Sequence, residues 1–126
     1  MDDGRKSVLV VEDDRAVARM LSIALREAGL AVTTVAMGQQ ALETLDREAK
    51  DAVVLDLGLP DGKGGSVLQW LRAHKGLPVW VVISALNKED AQEKYGPLEA
   101  NFLPKPFDPW QLVALIRQLL NKENAI

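Results

Sequence analysis

Cysteine is absent from this chain of 126 residues. There is therefore no disulfide framework and no Cys-ligated metal, a usage that fits a reducing cytosol. Histidine occurs once, at His74, far in sequence from every strand end identified below; it is expected on the surface near a helix C-terminus, with no functional role. Nowhere do the ~18 apolar residues of a membrane span run together. The opening Met1 to Lys6 is acidic and polar where a signal peptide needs a basic head and an apolar run, so the expected location is the cytoplasm, without membrane association. Positive charge is not in excess either: 15 Lys and Arg face 18 Asp and Glu, a net charge of -3. That balance, with a pI near 5.1, argues against a domain whose main task is gripping nucleic acid.

What is present is the composition of a packed globular domain, 48% apolar and 26% charged, long enough for one substantial core and too short for two. We read residues 1–126 as a single domain with a core over about 7–121. Apolar runs of strand length alternate with stretches of helical period. Val8 to Val11 is a continuous β-branched run of the kind a doubly covered parallel strand shows. Val17, Met20, Leu21, Ala24 and Leu25 follow at helical spacing, with Gly29 placed as a C-cap.

The alternation continues with a strand over Ala31 to Val35, a helix over Gln39 to Glu48, and a buried strand Ala52 to Leu55 ending at Asp56. Leu59-Pro60-Asp61-Gly62 reads as a turn. Ser66 with Gln69 three residues on predicts a capping box for a third helix, running to about His74. Pro78 to Ile83 is a fourth strand, and Asn87 an N-cap for a polar helix that Gly96-Pro97 should stop after two to three turns. A brief strand over Asn101 to Leu103 precedes a fifth helix capped by Asp108, with Pro109 first and Gln111 third, and a polar end follows from Asn121 to Ile126. Trp70, Trp80 and Trp110 are expected to pack rather than to contact ligands. Five βα units with short right-handed crossovers imply a doubly wound α/β fold, a five-stranded parallel sheet with helices on both faces.

In such a sheet chemistry belongs beyond the carboxyl ends of the strands. Here those ends carry Glu12-Asp13-Asp14, Asp56, Ser84 and Lys105. Taken singly, the first three acids suit a helix N-cap and first turn, Ser84 suits a loop cap, and Lys105 a solvated surface charge. Taken together, if the first and third strands are neighbours, their carboxylates converge and would repel unless a cation lay among them, and oxygen-only ligands favour Mg²⁺. A nucleotide-binding protein would place a Gly-rich phosphate loop after the first strand; this chain places acid there instead. An Asp beside Mg²⁺ and Lys105 is equipped to attack a phosphoryl group, and Ser84 to hydrogen-bond the product.

Val10 to Asp14, Val54 to Gly62, Ile83-Ser84-Ala85 and Phe102 to Phe107 together resemble the four signature blocks of response-regulator receiver domains, over about residues 7 to 121. The resemblance implies the flavodoxin-like strand order 2-1-3-4-5. It implies Asp56 as phosphoacceptor, Lys105 as the family's lysine, Ser84 as switch hydroxyl and Phe102 as switch aromatic. Its Mg²⁺ pocket would consist of Glu12, Asp13, Asp56 and the backbone carbonyl of Gly58, and its Lys105-Pro106 bond would be cis. The implied partners are a histidine kinase or phosphotransfer protein, and an output protein or second receiver on the face of the fourth helix, fifth strand and fifth helix. Function would then be switching rather than turnover.

Two features depart from the family pattern: the span from Ser84 to Lys105 is one residue short, and Gly96-Pro97 falls inside the fourth helix. The alternative they leave open is a phosphorylation-independent pseudo-receiver, an interaction module of the same fold. A phosphohydrolase with an Asp nucleophile would carry a second acid two residues on, where this chain has Gly58.

Overall fold

The computed structural model describes residues 4–99 and 101–124; of the polar termini read above, Met1 to Asp3 and Ala125 to Ile126 lie outside them. Ten elements alternate: β1 (Ser7–Val11), α1 (Arg15–Glu27), β2 (Ala31–Val35), α2 (Gly38–Arg47), β3 (Ala52–Asp56), α3 (Gly64–Ala73), β4 (Val79–Ser84), α4 (Lys88–Tyr95), β5 (Phe102–Pro104) and α5 (Pro109–Asn124). The strands form one sheet in the order β2-β1-β3-β4-β5, all pairs parallel. Among the described residues no helix is long and apolar enough to cross a membrane.

The strands are apolar on both faces because both faces are covered. Side chains alternate along a strand, so Val8 and Val10 enter a core shared with Leu21, Leu25, Leu112 and Ile116 of α1 and α5. Leu9 and Val11 enter a second core, with Leu45, Val67, Leu68 and Ala91 of α2, α3 and α4. Removing such side chains from water at roughly 25 cal/mol per Å² is the main stabilising term.

Local signals explain most boundaries. Gly29 has φ 89 and ends the α1 region. Asn87 Oδ1 accepts from the Asp90 amide at 2.8 Å. Asp108 Oδ1 accepts from Trp110 N while Gln111 Oε1 accepts from Asp108 N, a reciprocal cap. Gly96, φ 88, stops α4. The Lys105–Pro106 peptide is cis, and so is Leu77–Pro78.

Three expectations are corrected. α3 starts at Gly64, not after a Ser66 cap; Lys63 is the N-cap and makes no side-chain cap bond. The cause is tertiary: Gly64 enters the helix pressed against the backbone of Leu57, an approach open only to a residue without Cβ. The stretch from Asn121, read as a polar end after the fifth helix, continues α5 to Asn124. Trp110, expected to pack, is 51% exposed. His74 is exposed as expected and caps α3, with its ring stacked on Trp70 at 3.6 Å.

Candidate functional site

Three successive acids leave β1, and each goes somewhere different. Asp14 is the helix cap, its Oδ1 accepting from Ala16 N at 2.9 Å and Val17 N at 3.2 Å. Asp13 is exposed at the rim. Glu12, the last residue before the turn, points inward and is 2% exposed. Because β1 and β3 are neighbours, in register Val11 to Leu55, Glu12 and Asp13 meet Asp56 at the next strand end. One carboxylate oxygen from each of the three lies within 4.8 Å of the others.

The positive charge comes from across β4. Lys105 follows β5, and its amide donates to Ser84 O at 2.7 Å, which ties it to the end of β4. Its ammonium stands 2.6 Å from Glu12 Oε1 and 3.2 Å from Asp56 Oδ2. The other Asp56 oxygen, Oδ1, accepts from Gly58 N at 3.0 Å, so the carboxylate is held from two sides. Ser84 is buried, and its Oγ accepts from Leu86 N at 3.0 Å. Phe102 is also buried; its ring belongs to the second core cluster.

Charge inside the cluster is unbalanced, three carboxylates against one ammonium. Burial, then hydrogen bonding to Asp56, raises the Glu12 pKa from its ordinary 4.5 to about 7, against the opposing pull of Lys105. Burial pulls the Lys105 pKa down, but contact with Glu12 and the charge of Asp56 outweigh it, and the net shift is upward. A Glu whose folded pKa lies above its unfolded value stabilises the fold fully below the unfolded value and loses that contribution as pH rises through the folded one. In metal-free buffer, thermal stability should therefore fall between about pH 4.5 and about pH 7 from this group. Glu12→Gln should flatten that part of the profile; a parallel profile in the variant would refute the assignment.

The donor set suits a hard divalent cation. It is all oxygen, and the buried Glu12 Oε1 has no partner among the described residues beyond its ion pair with Lys105. With three carboxylates sharing that single ammonium, a divalent cation would balance the remaining negative charge. The carbonyl of Gly58 follows directly on the Asp56 loop, at an exposed position.

Beside Asp56 lies a cavity of about 240 Å³, walled by Gly58, Ser84, Leu86 and Lys105 and, from α4, by Lys94 and Tyr95. Sequence reasoning missed the last two. The available signal was a lone aromatic in an otherwise polar helix, immediately before Gly96-Pro97. It also missed Asp61, whose carboxylate accepts from Gly38 N and Gln39 N at the start of α2. Those amides, Gln39 first, hold its pKa below the ordinary value.

Residues 8–117 match the family model described as the response regulator receiver domain. The DNA-binding response regulator MtrA of Mycobacterium tuberculosis is 38% identical over 127 residues, covering 98% of this chain and 54% of that protein. The transcriptional regulatory protein GltR of Pseudomonas aeruginosa is 32% identical over 125 residues, covering 97% and 52%. The chain thus spans about half the length of the curated relatives it matches. Among solved structures, a Francisella response regulator receiver domain superposes with TM-score 0.81 at 26% identity, covering 94% of this chain and 98% of that one. A CheY-like receiver domain from Methylobacillus flagellatus gives TM-score 0.78 at 29% identity, covering 92% and 99%.

Proposed function

Because this chain belongs to the response regulator receiver domain family, we propose that it is a phosphoacceptor switch, modified on Asp56 in a Mg²⁺-dependent reaction. The observation that carries the proposal is the Lys105 ammonium placed within ion-pair distance of both Glu12 and Asp56. A phosphoryl group arriving at Asp56 meets one fixed cation and an all-oxygen donor set for a second.

Glu12, Asp13, Asp56 and the Gly58 carbonyl would hold Mg²⁺. When bound, the ion supplies positive charge to the transferring phosphoryl oxygens. Asp56 is the nucleophile: an Oδ forms the bond to phosphorus as the bond to the donor breaks. Gly58 N, bonded to Oδ1, orients the carboxylate, and Lys105 neutralises charge as it builds. The buried Ser84 hydroxyl gives up its bond to Leu86 N and turns to the new phosphate. That shift makes room for Phe102, and the surface of α4, β5 and α5 changes its preference for an output protein or second receiver.

The donor is a histidine kinase, a phosphotransfer protein or a small acyl phosphate, and the place of work is the cytoplasm. MtrA is described as DNA-binding; with a net charge of -3, this receiver unit would leave such a task to another module.

Intact-mass spectrometry after incubation with acetyl phosphate tests the reading. A phosphoryl adduct should form with Mg²⁺ and not with EDTA, and peptide mapping should place it on Asp56. No adduct in the presence of Mg²⁺ would overturn it.

A further inference from the structure

The last turn of α4 stands over the Asp56 cavity and is held there more firmly than the rest of that helix. Only Ala91 of α4 is buried; Tyr95 is half-buried and packs on the second core cluster. Gly96 ends the helix at once, and Pro97 forbids its continuation. From α3, the Arg72 guanidinium donates to the Tyr95 carbonyl at 2.5 Å and to the Pro97 carbonyl at 2.6 Å. A Cβ on Gly65 would sit 3.5 Å from the Tyr95 ring, so the first turn of α3 lies directly against it. The Lys94 ammonium lies 5.3 Å from the ring centroid, a cation–π placement.

The ring thus packs between the second core cluster and the first turn of α3, on backbone that Arg72 holds, and with Lys94 it forms the α4 wall of the cavity that holds Asp56 and Lys105. We propose that Tyr95 is a gate residue, whose ring restricts water at the Asp56 cavity and thereby sets how long the phosphoryl group stays. The proposal rests on the reading of Asp56 as phosphoacceptor.

The step controlled is hydrolysis. A water oxygen bonds to phosphorus, the bond between phosphorus and the Asp56 oxygen breaks, and the carboxylate leaves with the electron pair. The water's oxygen and both of its protons leave with phosphorus as dihydrogen phosphate, which then equilibrates with solvent. A bulky, fixed ring limits the number and the approach of waters that can attack.

The test follows decay by intact-mass spectrometry, after phosphorylation with acetyl phosphate and Mg²⁺ and removal of the donor. Tyr95→Ala should lose the group about three- to tenfold faster than the parent, while Tyr95→Phe, which keeps the ring, should stay within about twofold. Tyr95→Leu retains apolar packing without the ring's reach and should fall between them, and it serves if the Ala variant does not fold. Equal decay in the parent and in the Ala or Leu variant overturns the proposal. So does a Phe variant as fast as Ala, since ring bulk would then not be the agent. If the parent itself takes up no phosphoryl group, the Asp56 reading fails and the gate with it; uptake followed by identical decay sinks the gate alone.

Discussion

Asp56→Asn should reduce phosphoryl uptake below detection and, in metal-free buffer near pH 8, make the protein more stable. The first effect follows from chemistry: the carboxamide nitrogen has its lone pair delocalised and cannot take the nucleophile's part. The second follows from the charge balance at the strand ends. Three carboxylates gather around one ammonium, and Asp56 is itself among the groups that push Glu12 upward. Removing one negative charge leaves Lys105 with its shorter contact, to Glu12 at 2.6 Å, and offers an amide donor to the Glu12 carboxylate. The gain should be about 1 kcal/mol, or roughly 3–5 °C in Tm for a domain of this size. Adding Mg²⁺ should narrow the difference, because the ion stabilises the parent more. An Asn variant that is less stable than the parent without metal would show that the cluster is not self-repelling.

The largest loss of stability is expected from a single methyl group at Gly64. Helix propensity alone favours the change, since Gly within a helix costs up to ~1 kcal/mol relative to Ala. The tertiary contact reverses the sign: a Cβ at Gly64 would lie 2.4 Å from the Leu57 carbonyl oxygen and 3.0 Å from its backbone carbons. Backbone cannot swing aside as a side chain can, so either α3 shifts or the loop after Asp56 moves. We expect Gly64→Ala to cost about 3 kcal/mol in urea denaturation. Asp56 should also be mispositioned, because Leu57 joins it to Gly58. The neighbouring Gly65→Ala is the control: its Cβ would meet Tyr95 at 3.5 Å, an ordinary contact, and its effect should stay within about 0.5 kcal/mol. Similar losses at both positions would mean that helix backbone freedom, not the Leu57 contact, decides.

These two cases show where the sequence was legible and where it was not. Asp56, Glu12 and Lys105 are found by their position at strand ends, since parallel neighbours in register deliver the residues that follow them to one edge. The mutual approach of Glu12 and Lys105, 93 positions apart in the chain and at the ends of strands separated by β3 and β4, was implied by the family resemblance and not by any local pattern. By contrast, Ser66 and Gln69 had the spacing of a cap, and Gly64 was overlooked, because the decisive contact comes from Leu57 across a loop. The same applies to Tyr95: its place over the cavity depends on Arg72 and Gly65 of another helix, neither of which has a local signature.

What the sequence determined by itself is therefore whatever a few consecutive residues decide: the buried strands, the Asn87 and Asp108 caps, the stop at Gly96, and the chemical character of each strand end. Only the tertiary structure decided which of three successive acids turned inward, where α3 began, that Trp110 stayed largely in solvent, and that α4 ended against the cavity. The division is physical. Caps, turns and periodicity are set by bonds spanning three or four residues, whereas orientation and close approach depend on surfaces that meet only once the chain has packed.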